Sequence, residues 1–131
     1  MSTSVDPIHL AVDLGASGGR VLAGRIADSG IEIQEIHRFN NGPLPLGKRL
    51  VWNLLGQWEH ILDGLSRAAS QFGSRLESIG ADTWGVDYIL LDRNEDQVGP
   101  CFCYRDSRTR GVMAQAFSRL SREKIFAETG L

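Results

Sequence analysis

Between Asp13 and Arg20 the chain reads DLGASGGR: an acid ending an apolar run, three glycines, a serine and an arginine. These types at this spacing suit holding an anion. Small residues let successive backbone N–H groups approach an oxyanion, Ser17 adds a hydroxyl, and Arg20 adds a guanidinium. Asp13 would repel a bare phosphate but suits a hydrated Mg²⁺, which keeps most of its waters and uses one or two carboxylates. The stretch is neither G-x-x-x-x-G-K-[ST] nor G-x-G-x-x-G. The next residues along the chain are strand-like rather than helical, so no helix dipole would face the anion. A tight glycine-rich hairpin with a satisfied aspartate fits the same residues, and this stretch alone leaves both readings open.

Other chemistry-bearing residues are sparse. Cys101 and Cys103 form C-x-C with no second cysteine pair and no nearby histidine to complete a zinc site. Alternation in CFCY puts both thiols on one face of a short strand, as small buried hydrophobes. His9, His37 and His60 are scattered. Fourteen basic against sixteen acidic residues give a net charge of −2, so there is no field for nucleic acid or an anionic membrane. Apolar runs such as YILL are too short to span a bilayer. The first residues lack the basic region and small-residue cleavage site of a secretory leader, which makes the cytoplasm the expected location.

The elements that must position these residues can be read from pattern. IHLAVDLG reads as a buried strand, GRVLAGRIAD as a second, and IEIQEIHRF alternates as a third with one solvated face. Together they predict an antiparallel meander with GASGG as its first hairpin. NNGPLPLGKRL reads as a loop by composition. A helix is expected from about Leu54 to Phe72, with Leu54, Trp58, Ile61, Leu62, Leu65, Ala68, Ala69 and Phe72 on one face and Gly73 stopping it. ESIGADTWG and VDYILLDRNEDQVG read as a further strand pair. Asp106 is expected to cap a helix carrying Val112, Met113, Ala116, Phe117 and Leu120, and Ser121 to open a last helical turn ending at Gly130. Strands, a helix, then strands and helices again predict a layered α/β or α+β domain. The stop at Leu131, straight after Gly130, reads as a cut within a cap.

Asp-x-Gly-x-Ser-x-x-Arg bridging two strands of a meander resembles the first phosphate loop of the actin-like ATPase superfamily. IGADTWGVDYILLD (Ile79 to Asp92) and VGPCFCYRDSRTRGVM (Val98 to Met113) resemble the FGGY carbohydrate kinases. DTWGVD, YRDSRT and IHRFNNG are similar to the rhamnulokinase branch of that family, and the similarity runs from about Ile8 to Leu131. The resemblance implies an α/β, ribonuclease H-like fold, with residues 1–131 as the N-terminal part of the first of two lobes. It implies ATP and Mg²⁺ as cofactors, with Ala16, Ser17, Gly18, Gly19 and Arg20 on the nucleotide phosphates and Asp13 on the metal. The sugar side would be met by Gly85, Asp87, Tyr104, Arg105 and Asp106. The expected reaction is phosphorylation of a ketose, L-rhamnulose, at its terminal hydroxyl. The general base and the second lobe would lie beyond Leu131, so this stretch alone would be inactive. Two departures stand out: Gly18 replaces a usual serine, and Trp52 to Leu55 read WNLL where relatives carry WDVD. The alternatives are a non-enzymatic actin-like nucleotide module and a kinase of another ketose such as L-fuculose or xylulose.

Overall fold

A computed structural model describes residues 6–131, so the leader reading, which rests partly on residues 1–5, falls partly outside the described residues. The meander forms as expected: β1 (Ile8–Leu14), β2 (Gly18–Ala27) and β3 (Gly30–Asn40) pair antiparallel in sequence order. The next two strands, β4 (Pro43–Leu46) and β5 (Arg49–Trp52), form a separate hairpin turning at Gly47, where φ is +59°. This corrects the loop reading of NNGPLPLGKRL. Pro43 and Pro45 are tolerated because β4 is an edge strand, where a missing N–H on the open side breaks no ladder.

Helix α1 spans Leu54–Phe72, as the periodicity predicts, with Asn53 accepting from the Gly56 N–H at its start. The final sheet strand, β6 (Leu76–Thr83), lies parallel to β1 in the order β3-β2-β1-β6. Helix α1 crosses one face of β2 and β3 and closes a core of Ile8, Leu10, Ala23 and Ala68, with Leu65 and Phe72 packed against it. The buried part of its stripe is narrower than the pattern implies, for Trp58 and Leu62 stay exposed. At the contact Gly64 faces Val21, which is fully buried; a Cβ on Gly64 would lie 2.8 Å from the Val21 Cβ.

Beyond β6 the expected strand pair does not form. Val86 sits at φ +73° and turns the chain away from the sheet. All that remains is a bridge between Leu91 and Gln97, closing a turn in which Asp92 Oδ1 accepts from the N–H groups of Asn94 and Asp96. The CFCY segment reduces to a bridge from Phe102 to Val51, with Trp52 N–H donating to the Cys101 carbonyl at 2.8 Å. Both cysteines are free and buried against Trp52, as the alternation predicts. The long helix expected after Asp106 is also corrected. Asp106 caps a 3-10 turn at Ser107–Thr109, Gly111 (φ +81°) breaks the path, and α2 is confined to Val112–Phe117. Helix α3 (Arg122–Thr129) starts on Ser121 and ends at a left-handed Gly130.

Asp106, only 4% exposed, staples these segments together. Its Oδ2 accepts from the Leu50 N–H at 2.7 Å, its Oδ1 from the Arg108 N–H at 2.8 Å, and Arg49 Nη1 lies 3.4 Å from Oδ1. The backbone donors, Leu50 foremost, outweigh desolvation and hold the carboxyl below its ordinary range.

Stability should respond in two ways. Alanine in place of a helix-interior glycine gains about 1 kcal/mol, but overpacking costs about 1–3 kcal/mol. Gly64→Ala should therefore lose about 1 kcal/mol in urea unfolding; a gain would show that α1 does not rest on Val21. A carboxyl whose folded pKa is depressed stabilises fully above its unfolded value of about 4 and loses that contribution as pH falls through the lower folded one. Wild type should thus lose stability more steeply below about pH 4 than Asp106→Asn, and equal slopes would contradict the staple.

Candidate functional site

Parallel pairing of β1 with β6 brings two strand ends together, with Leu14 beside Thr83. The glycine loop leaves one end and the Trp84–Tyr88 segment leaves the other. The loop is a tight hairpin: Gly15 N–H donates to the Gly18 carbonyl at 2.8 Å, and a Cβ on Gly15 would lie 3.0 Å from that oxygen. None of Gly15, Gly18 and Gly19 has a positive φ, so the amides are offered by a plain turn rather than by alternating right- and left-handed residues. The backbone N–H groups of Ala16 and Ser17 have no protein acceptor among the described residues. Gly19 is needed for packing, since a Cβ there would overlap the Phe39 ring, 2.6 Å from its Cε2.

Asn41 fastens this loop from the end of β3. Its Nδ2 donates to the Gly15 carbonyl at 2.8 Å, and its backbone N–H donates to the Ser17 carbonyl at 3.2 Å. Its Oδ1 accepts from Gln57 Nε2 on α1 at 3.0 Å and from the Gly42 N–H. Gln57 is buried, so the loop is tied through Asn41 to the helix. By composition alone, the Asn pair signals nothing more than a loop.

Asp13 and Arg20 face each other across β1 and β2 and form an ion pair, Arg20 Nη2 on Asp13 Oδ2, with Arg20 Nε at 3.0 Å from the same oxygen. Asp13 Oδ1 has no partner among the described residues. Strand register extends the row to Arg38 on β3 and Asp82 on β6. A cavity of about 340 Å³ opens here, lined by Asp13, Gly15, Ser17, Gly18, Arg20 and Arg38 among others. No cluster of three metal-ligating side chains occurs among the described residues. A hydrated Mg²⁺ asks for no more than one or two hard carboxylate oxygens, which Asp13 Oδ1 supplies, so the donor set fits that ion. The turn, too tight for a side chain at Gly15 and with two amides unspent, fits a phosphate oxygen.

The second region rests on Trp52. Its ring packs 4.5 Å from that of Trp84 and 6.4 Å from that of Tyr104, and Cys101 and Cys103 complete the cluster. Ala16 of the glycine loop packs against the same cluster. Asp87 Oδ2 accepts from both Trp52 Nε1 and Trp84 Nε1, each at 2.7 Å. Burial first, and the Asp87 charge second, push the Cys101 thiol above its ordinary range, which keeps it protonated at neutral pH. A cavity of about 520 Å³ is lined by Asp87, Tyr88, Tyr104 and Arg108, with Val86, Cys103 and Thr109.

Of the residues singled out for the sugar side, Asp87 and Tyr104 are brought to this cavity. Gly85 lies in the adjoining turn with open space around its Cα. Arg105 and Asp106 do not line it. Arg105 stacks on Tyr104 from outside, 5.0 Å from the ring centre, and both Asp106 oxygens are spent on the staple. Arg108, not singled out from sequence, takes the place expected of Arg105. Its guanidinium lies 4.2 Å above the Phe102 ring and has no carboxylate partner among the described residues. Arg105 precedes the 3-10 turn at Ser107–Thr109, whereas Arg108 lies within it.

No family model matches the chain. Among curated proteins it is 40% identical over 123 residues to a rhamnulokinase of Oceanobacillus iheyensis, covering 94% of this chain and 26% of that protein. It is 46% identical over 123 residues to a rhamnulokinase of Mannheimia succiniciproducens, covering 92% and 25%. The chain thus spans about a quarter of the length of these relatives. Among solved structures it superposes on a gluconate kinase from Lactobacillus acidophilus with a TM-score of 0.78 at 9% identity, over 97% of this chain and 25% of that one. A xylulose kinase from Rhodospirillum rubrum matches with a TM-score of 0.71 at 15% identity, over 91% and 25%. At such identities the structural likeness is one of fold, the α/β fold of actin-like ATPases. Relatives named rhamnulokinase thus match more than nine-tenths of this chain in sequence, and FGGY-family sugar kinases match it in fold.

Proposed function

We propose that this sequence is part of an ATP-dependent ketose kinase, with L-rhamnulose as the sugar and its terminal hydroxyl as the acceptor. The observation that carries the reading is the shared seat of the two cavities. Ala16 of the glycine loop and Trp84 beside Asp87 pack on one cluster around Trp52, at the end of the sheet where β1 and β6 finish. Ligands of open α/β sheets gather outside the carboxyl ends of the strands, and here an anion-binding turn and a polar, aromatic-walled cavity meet there.

On this proposal the Ala16 and Ser17 amides, with Gly18, Gly19, the Ser17 hydroxyl and Arg20, hold the phosphates of ATP. Asp13 holds Mg²⁺, which when bound neutralises charge on the phosphoryl group and orients it. Asp87 and Arg108 take sugar hydroxyls as acceptor and donor, Tyr104 lies against the sugar carbons, and Gly85 leaves room at the entrance. Asp106 has both oxygens on backbone N–H groups, while Asp13 and Asp87 are assigned above to the metal and to holding a sugar hydroxyl. We therefore assign the proton-accepting base to a residue elsewhere in a longer polypeptide, consistent with relatives about four times as long.

An ATP-coupled assay of the intact protein should show L-rhamnulose phosphorylated in preference to L-fuculose and D-xylulose; equal rates would mark a broader ketose kinase. Residues 1–131 alone should release no ADP in response to ketose, and sugar-dependent turnover by that stretch would place the base within it. Asn41→Ala frees the loop from α1 by removing hydrogen bonds worth about 1 kcal/mol each. It should raise KM for ATP about tenfold, with KM for the ketose little changed. An unchanged KM for ATP would detach the Asn41 tether from nucleotide binding.

A further inference from the structure

Two carboxylates near the larger cavity are held in opposite ways. Asp106 spends both oxygens on protein donors, has an arginine beside it, and its side chain is 1% exposed. Asp87 spends only Oδ2, and spends it twice, on two neutral indole N–H groups. Its Oδ1 makes no hydrogen bond among the described residues. Since no buried side-chain oxygen there lacks a partner, Oδ1 is open to solvent. No lysine or arginine stands in ion-pair distance of Asp87 among the described residues.

The geometry of the indoles explains what such an arrangement does. One hydrogen bond would leave the carboxylate free to swing about its χ2; two, from rings set 47° apart, fix its plane. The rings themselves are held in place, Trp52 being buried in the cluster and Trp84 packed on it. Val86, a β-branched residue in the left-handed region, bends the chain so that Asp87 returns to the Trp84 N–H three positions back. Because neutral donors hold Asp87 without cancelling its charge, Oδ1 remains a strong acceptor for a hydroxyl.

We propose that Trp52 and Trp84 are positioning residues for the sugar: their indole N–H groups pin Asp87 Oδ2 so that Oδ1 is presented to a hydroxyl of the ketose. The proposal rests on the kinase reading above. It differs from a packing role for the tryptophans in what the N–H groups, rather than the rings, contribute.

Trp52→Phe and Trp84→Phe keep an aromatic ring and remove one donor each. In the intact protein each should raise KM for the ketose about tenfold, with kcat and KM for ATP held within about twofold. In an Asp87→Ala background the same substitutions should add nothing, because the group they act through is gone. Additive losses there, or KM for ATP rising in step, would overturn the proposal. A second readout is independent of whether the Asp87 variant folds. Ketose alone should shift the indole Nε1–H proton resonances of Trp52 and Trp84, while Trp58, exposed on α1, stays fixed as an internal control. Resonances of Trp52 and Trp84 that do not move at saturating ketose would also overturn it. Failure of the unaltered protein to phosphorylate any ketose would overturn the kinase reading and this proposal together. Ketose turnover indifferent to both phenylalanine substitutions would overturn this proposal alone.

Discussion

The parallel ladder between β1 and β6 is the constraint on which the rest depends. All seven residues of β1 pair with β6, up to Leu14 opposite Thr83, so both strands deliver their carboxyl ends to one edge of the sheet. Parallel strands cannot be joined by a tight turn. The 61 residues between them here contain the rest of the meander, the β4–β5 hairpin and α1. Those elements are also the supports of the site: β3 supplies Asn41 just past its end, β5 supplies Trp52, and α1 supplies Gln57. The long excursion that parallel pairing demands returns as scaffolding.

A second level of organisation is polar and local. Where the chain after β6 has no ladder to join, its path is set by single side chains that replace one. Asp106 ties the 3-10 turn to β5, Asp92 shapes the turn after Leu91, and Asp87 draws Val86 back toward Trp84. Asp106 and Asp92 stand in for backbone pairing and satisfy N–H groups that would otherwise be left over; Asp87 does the same for two indoles. The irregular segment from Trp84 to Arg110 is ordered by carboxylates much as the first half is ordered by strands.

This division explains how much could be read from the residues alone. The meander and α1 are legible because their signals are periodic; the pattern and the fold agree on Leu54–Phe72. The β4–β5 hairpin is not, since its prolines say loop unless the strand is known to be an edge. The strand expected at Val86 and the long helix expected at Asp106 fail for a common reason. Each has a suitable composition and is broken by one backbone conformation, at Val86 and at Gly111, that composition does not announce. The candidate residues fare likewise. Those from Asp13 to Arg20 lie on the β1–β2 hairpin, which the pattern also predicts. Among YRDSRT, Arg108 lines the cavity and Arg105 does not. The roles of Trp52 and Asn41 depend on hydrogen bonds across 35 and 26 positions, which no local pattern encodes.

On the proposed reading, the Asp13–Arg20 pair makes the glycine turn selective about the form in which charge arrives. A bare anion approaching Arg20 must compete with a carboxylate already in contact, and a bare cation approaching Asp13 must compete with a guanidinium. Either exchange trades one attraction for another and leaves the displaced partner to the solvent that already reaches both side chains. A cation and an anion arriving as one unit swap a single pairing for two, and leave nothing unmatched. Before any ligand comes, the two charges at the mouth of the turn cancel, and on the proposed reading what parts them carries both signs.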